Sequence, residues 1–301
     1  MNIPARQFQI IITALLLNIL FYSSTLPAAD DTAALHDQFT GLTTRLSNNQ
    51  FQRTLYIDST ESTSTLKGDI YAILDYSFDS VNRVLNDPEH GPANWCDVMM
   101  LHPNTKYCRA SNNSNDKMLS VNIGKKSLQS LAYTYQMEFN YKTASTTNKY
   151  FRVNLNAENG PLGTKDCSII LEVIAINEKQ TFLHIIYSCR YSMAGWLLMK
   201  SYLSTIGRNK VGFTINGIQP DGKPSYIGGM RGLVERNTMR YYLAIDAYMS
   251  ALALPADKQL EKRLSKWISA AEQYQQQLDE MDSQEYIQMK YKEYNLRKTL
   301  K

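Results

Sequence analysis

Glu172 and His184 flank a short polar segment, Asn177-Glu178-Lys179, which separates two apolar runs over 168–176 and 180–190. Two such runs joined by a three-residue turn read as an antiparallel hairpin. In the register that this turn sets, Ile169 faces Tyr187, Leu171 faces Ile185 and Val173 faces Leu183. On the other face, Glu172 meets His184. A carboxylate beside an imidazole stabilises the imidazolium, so this pair has the chemistry of an acid–base couple. The plainer expectation is a surface cross-strand ion pair worth a few tenths of a kcal/mol. Arg190 follows on the same face, where it would meet an anionic head group or remain an exposed sheet charge.

Arg236 and Arg240 lie four residues apart in a long helical pattern and so share one helix face. If that face looks inward, the two guanidinium groups would bind a phosphate or carboxylate; otherwise they mark a solvated helix edge. Tyr187, Trp196, Tyr241 and Tyr248 fall in the same region. The chain holds 20 tyrosines. Such rings build cores, and they also line ligand pockets because the hydroxyl can still find a partner. G-x-S-x-G, HExxH, P-loop and G-x-G-x-x-G motifs are all absent from the sequence. No cofactor is expected, and catalysis is not the favoured reading.

The four cysteines are Cys96, Cys108, Cys167 and Cys189. None sits in a CxxC, and His90 and His102 lack the spacing of zinc ligands, so no metal site is expected. The hairpin register puts Cys167 opposite Cys189, which leaves Cys96 for Cys108. Two disulfides suit an exported chain.

The elements that must position these groups follow from periodicity. A helix is expected from Thr32 to Leu46, with Leu35, Phe39, Leu42 and Leu46 on one face. Ser59 to Ser64 reads as a loop. A strand over 69–74 leads into a helix over 79–86, capped by Ser77 or Asp79, and then Trp95. Short strands are expected at 107–110 and 119–123. Alternation over 135–141 and 151–157 gives a second hairpin. A short helix over 196–206, a last strand over 210–215 and a turn over 217–222 precede a long helix from Gly229 to Leu252. Pro255 opens another helix, whose apolar residues from Leu260 to Met281 are spaced 4-3-4-3-4-3. That coiled-coil seam either docks on its own domain or pairs two chains through 258–281, and docking is favoured because sustained seams run longer. The basic end, 290–301, reads as a solvated tail, with a transient membrane-surface contact as the sharper alternative.

This order of elements resembles the helix-grip fold of the START-like superfamily, which includes Bet v 1-like proteins, lipid-transfer domains and polyketide cyclases. The resemblance rests on the segment from Gly68 to Phe78 with its helix and Trp95, the antiparallel strands between Tyr107 and Ile215, and the helix from Gly229 to Leu252. It covers about residues 66–254. It implies an α+β fold, a curved antiparallel sheet gripping a long C-terminal helix over a ligand cavity. Residues 30–65 would be an N-terminal extension and 255–301 a C-terminal helical one. Tyr187, Arg190, Trp196, Arg236, Arg240, Tyr241 and Tyr248 are the candidate ligand contacts.

The start of the chain addresses location. Arg6 precedes an apolar run from Ile10 to Tyr22, and small residues follow as far as Ala29. That is the order of a cleaved signal peptide over 1–29, and the run is short for a membrane anchor. A periplasmic or secreted protein is therefore expected. A net charge of +4 gives no case for nucleic acid. The favoured function is an exported binding protein for a lipid or other apolar or amphipathic small molecule. The alternatives are a hydrolase or cyclase using Glu172 and His184, and an envelope scaffold that dimerises through its C-terminal helix.

Overall fold

The computed structural model describes residues 28–300, apart from 114–115, 206 and 279–280. The expected leader lies outside them, but for its last two positions. In chain order the elements are α1 (Ala28–Ser47), β1 (Leu55–Glu61), β2 (Thr65–Leu74), α2 (Phe78–Leu85), α3 (Gly91–Met99), β3 (Thr105–Asn113), β4 (Asp116–Ile123), β5 (Tyr135–Thr146), β6 (Tyr150–Asn159), β7 (Thr164–Ala175), β8 (Thr181–Tyr191), α4 (Met193–Ser204), β9 (Ile215–Ile218), β10 (Pro224–Tyr226), α5 (Gly229–Met249), α6 (Ala256–Glu272), α7 (Gln275–Leu278) and α8 (Ser283–Thr299).

Eight strands form one curved antiparallel sheet in the order β1-β2-β8-β7-β6-β5-β4-β3. Consecutive strands pair from β3 to β8, and β2 closes the order by pairing with β8. The register read from the sequence holds from Ser168 onward: Ile169 pairs with Tyr187, Leu171 with Ile185, Glu172 with His184. A shift between Lys165 and Ser168 breaks it next to the cysteines. Asp166 takes a φ of 47° there, so one strand bulges while the Cys167–Cys189 disulfide still closes. Cys96 is bonded to Cys108, which ties α3 to β3.

Both sheet faces are covered. On the inner face Ile70, Ala72, Leu183 and Ile185 join the main core with Leu243 and Ile245 of α5. On the outer face Tyr71, Ile73, Ile174 and Phe182 pack against Leu35, Phe39, Leu42 and Leu46 of α1. The stripe read from the sequence of α1 is thus its sheet-facing side. Of the 21 residues of α5, the 17 that are buried go all the way round the helix. A helix buried on every side needs a second cover, and the C-terminal segment supplies it.

The seam residues Leu264, Trp267, Ala271, Tyr274 and Leu278 belong to the same core as the sheet, with Leu260 and Met281 at its margin. The apolar stripe is therefore spent inside the chain, on the docking arrangement, rather than left open for a second copy. The basic end is not a simple solvated tail either. Lys290 and Glu293 of α8 are buried against β3. Lys290 Nζ donates to the carbonyls of His102 (2.8 Å) and Thr105 (2.7 Å) and to Glu293 Oε2 (2.7 Å). Lys106 Nζ donates to Glu293 Oε1 at 2.9 Å. Burial outweighs Glu293 and lowers Lys290 to about 8.

Two further readings change. Residues 59–61 extend a strand, not a loop: Leu55, Ile57 and Ser59 alternate inward, so a period of two lay hidden in polar residues. No strand of the main sheet covers 210–215. Instead β9 starts at Ile215 and pairs with β10 as a separate hairpin, which also takes in part of the expected turn.

α5 approaches the sheet closely at Gly68, where a Cβ would collide with Thr238 Oγ1 and Val234. Gly68→Val should lower unfolding stability by about 2 kcal/mol, since overpacking at a backbone contact cannot relax cheaply. Urea denaturation checks this, and an unchanged midpoint would contradict the close approach.

Candidate functional site

α5 carries Arg236 and Arg240 one turn apart, and β8 brings Tyr187 to the same place on the inner face. Both guanidinium groups are buried, at 2% and 4% exposure. Arg236 Nη1 donates to the carbonyl of Val211 at 3.1 Å. Arg240 Nη1 donates to Asn237 Oδ1 at 2.8 Å. Burial lowers Arg236 to about 10. Burial first and then the charge of Arg236 lower Arg240 to about 9. Two like charges thus share a poorly solvated site, where the neighbouring Glu235 carboxylate favours the Arg236 cation.

The aromatic side of this site is Tyr241, with its ring centroid 5.6 Å from that of Tyr187 and 5.5 Å from that of His102. Burial pushes both phenols up, so they remain neutral donors. His102 is held well below its ordinary value by burial and then by Arg240 and nearby lysines. Its Nδ1 accepts from the Asn104 amide at 3.1 Å, as a neutral ring does. The site therefore combines fixed positive charge, neutral hydroxyls and apolar rings.

α4 lies over this place. Its Trp196, Met199 and Leu203 pack with Tyr187, Met230 and Val234. Its opposite side exposes Met193 (75%), Leu197 (59%) and Leu198 (53%) to solvent. Ser192 caps the helix by accepting from the Gly195 amide.

Of the seven contacts read from the sequence, the structure gathers Tyr187, Arg236, Arg240 and Tyr241, with Trp196 at the edge. Tyr248 lies two turns further along α5. Its hydroxyl donates to Asn94 Oδ1 at 3.0 Å and Arg263 stacks on its ring at 3.9 Å, so it belongs to the tie between α3, α5 and α6. Arg190 does not join the group. It points from the outer face and pairs with Asp166 at 3.3 Å, both exposed. Strand alternation alone puts it opposite Tyr187 and Tyr191. His102 and Asn237 were not read as site residues. His102 follows α3 in a turn, far from α5 in the chain, and no spacing rule links them.

Glu172 and His184 form a second cluster, on the outer face under α1. His184 is 4% exposed, so the plain surface-pair expectation fails. Its Nδ1 lies 3.0 Å from Glu172 Oε2 and its Nε2 2.8 Å from Asp69 Oδ1. Tyr71 stacks on the imidazole at 4.1 Å, and Tyr150 donates to Glu172 Oε1 at 3.1 Å. Burial opposes the charged form of His184, but the bonds to Asp69 and Glu172 win and raise it. Glu172 is lowered: His184 and then Arg152 outweigh the opposing effect of burial. Asp69 was missed because only the pairing of β2 with β8 brings it to the ring. This cluster faces α1, away from α5. Among the described residues no group of three His, Cys, Asp or Glu side chains has the geometry of a metal site.

No protein-family model matches the chain, and no curated protein sequence matches it. Solved structures do resemble it in shape. An aromatase/cyclase from Streptomyces sp. R1128 is 10% identical and aligns over 64% of this chain and 98% of its own, with a TM-score of 0.38. Norcoclaurine synthase from Thalictrum flavum is 10% identical over 49% of this chain and 90% of its own, at 0.36. Human STARD10 is 10% identical over 62% and 79%, at 0.31. The helix-grip arrangement of this chain is seen in its own strand order and in the seat of α5 on the inner face. The expected α+β class, a curved antiparallel sheet gripping a long helix, is what the chain adopts.

The outer cluster gives a pH dependence. The stability that His184 contributes is whole below its ordinary value of 6.5 and is lost as pH rises through its raised folded value. The contribution of Glu172 is whole above 4.5 and is lost as pH falls through its lowered folded value. The stability gap between the native chain and His184→Gln should therefore be widest between these values, at about 2 kcal/mol, because the substitution takes the buried cation from Asp69 and Glu172 and leaves them only the more exposed Lys67 and Arg152. Urea denaturation across the pH range measures it. A gap that stays level from weakly acidic to strongly alkaline pH would show that the imidazole is not charged in the fold.

Proposed function

We propose that this chain is an exported binding protein for an amphipathic molecule with an anionic head, held between the sheet and α5. The observation that carries the reading is the pair of buried guanidinium groups of Arg236 and Arg240, one turn apart on α5 beside Tyr187 and Tyr241. A phosphate or carboxylate there would balance their charge and accept hydrogen bonds from both arginines. The tail of the ligand would lie among the apolar rings, where each Å² removed from water contributes about 25 cal/mol. α4 covers this place with one side and exposes an apolar side outward, so its displacement is the route by which an apolar molecule would enter.

Export is part of the proposal. The signal-like start and the two disulfides support it, since such bonds persist in oxidising compartments. The binding reading is preferred to the enzyme alternative because Glu172 and His184, though within hydrogen-bond reach, lie on the outer sheet face that α1 covers, away from α5. The apolar seam on which a dimeric scaffold would depend is buried within the chain.

Native mass spectrometry of the disulfide-intact protein, followed by organic extraction, tests the reading. A bound anionic amphiphile is expected, or uptake of oleate or lysophosphatidylglycerol when either is added. The double variant Arg236→Lys, Arg240→Gln should lose that mass while its far-ultraviolet circular dichroism and cooperative urea transition show that it still folds, because the bidentate guanidinium geometry is what the anionic head requires. Retention of the same ligand by the double variant, or failure of both probes to bind the native chain, would overturn the proposal.

A further inference from the structure

Two segments far apart in the chain have the same composition: an aromatic residue set among amides. They are Asn48-Asn49-Gln50-Phe51-Gln52, just after α1, and Gln273-Tyr274-Gln275-Gln276-Gln277, between α6 and the end of α7. The fold brings them together. The Phe51 and Tyr274 ring centroids are 6.3 Å apart, and Phe213 lies 5.8 Å from the first and 5.4 Å from the second. Tyr274 donates to the Phe51 carbonyl at 2.9 Å, and Gln50 Nε2 to the Phe213 carbonyl at 2.6 Å. Gln52 takes a φ of 53°, a left-handed conformation that a glutamine adopts only under local constraint.

Three adjoining clefts run over this aromatic floor. The first, about 520 Å³, lies between the end of α1 and the start of β9. The second, about 300 Å³, shares Gln50, Phe51 and Phe213 with it. The third, about 460 Å³, shares Tyr226, Gln273, Tyr274 and Gln277 with the second. Together they form a row of clefts side by side from the end of α1 to α7. Its floor is fixed from below by Glu235, fully buried, whose carboxylate accepts from the Phe213 and Thr214 amides and from the Ser59 and Thr214 hydroxyls. The formal charges at the ends balance: Arg45 and Asp58 line the first cleft, Lys223 and Glu272 the third.

We propose that this row of clefts binds a neutral oligosaccharide chain lying along it, at a site separate from the interior one. The Asn49 and Gln50 amides brace the wall internally and Gln277 is buried. The exposed amides of Asn48, Gln52, Gln273, Gln275 and Gln276 each offer both a donor and an acceptor, as each sugar hydroxyl does, and so match a chain that bears hydroxyls along both edges. Tyr226, half-buried in the wall shared by the second and third clefts, offers an apolar ring face and a polar tip to a pyranose ring. The balanced charge favours an uncharged ligand. A row of adjoining open clefts favours a ligand with several units over a compact molecule, which a closed pocket would surround. A peptide offers one main-chain donor and acceptor per residue and is the less complete match.

Isothermal titration of the full mature chain with chitohexaose, maltohexaose and cellohexaose tests this, with the matching disaccharides and a capped alanine–serine hexapeptide alongside. At least one hexasaccharide should bind, and more tightly than its disaccharide. Tyr226→Ala and Gln276→Ala should each weaken binding by about tenfold, while Tyr226→Phe retains most of it. Saturating oleate should leave it unchanged, so this site stands or falls apart from the interior ligand. Lack of binding by all three hexasaccharides at millimolar concentration, binding by the peptide alone, or binding indifferent to both alanine variants would each overturn the proposal.

Discussion

Burial on two sides is the constraint on which the rest of this structure depends. The central strands carry apolar residues on both faces, so the sheet requires a cover above and below. α5 provides one and α1 the other. α5 is itself buried around its whole circumference, so it cannot end the stack, and α6 to α8 close it. Four layers result: α1, the sheet, α5 with its neighbours α2 and α3, and the C-terminal helices. Each layer beyond the sheet exists because the one beneath it leaves apolar surface.

Where polar groups are drawn into these layers, they arrive with partners that fix one element against another. Glu293 joins Lys290 and Lys106, so α8 has one seat on β3. Glu235 holds the 213–214 segment to α5 and β1. His184 sits between Asp69 and Glu172 and joins three strands beneath α1. Burying such charges gains little stability in itself, because desolvation offsets much of the attraction. What they contribute is a penalty for any arrangement that separates the partners. Arg236 and Arg240 differ in that two groups of like charge are brought to one buried place on α5. That difference separates a candidate binding site from a structural tie.

Local signals carried much of the fold. The hairpin of β7 and β8 was legible from its turn and alternation, down to Glu172 facing His184 and Cys167 meeting Cys189. The bulge at Asp166 was not, because an extra residue in one strand leaves no mark on a period of two until the partner is known. β1 was missed because its inward positions include Ser59, whose partner Glu235 lies 176 residues away in sequence. The seam from Leu260 to Met281 was visible as a stripe. The stripe could not say whether its partner was a second chain or α5.

The sequence by itself determined the helices with clear apolar stripes, the antiparallel strands and their local register, the cysteine pairing and the two arginines on one helix face. Each depends on neighbours a few residues apart or across a tight turn, where geometry follows from spacing. Only the tertiary structure decided that His184 gains Asp69, that His102 enters the candidate site, and that two amide-rich segments meet over one aromatic floor. Those juxtapositions depend on sheet order and layer packing, which bring together residues that share no turn, strand or helix.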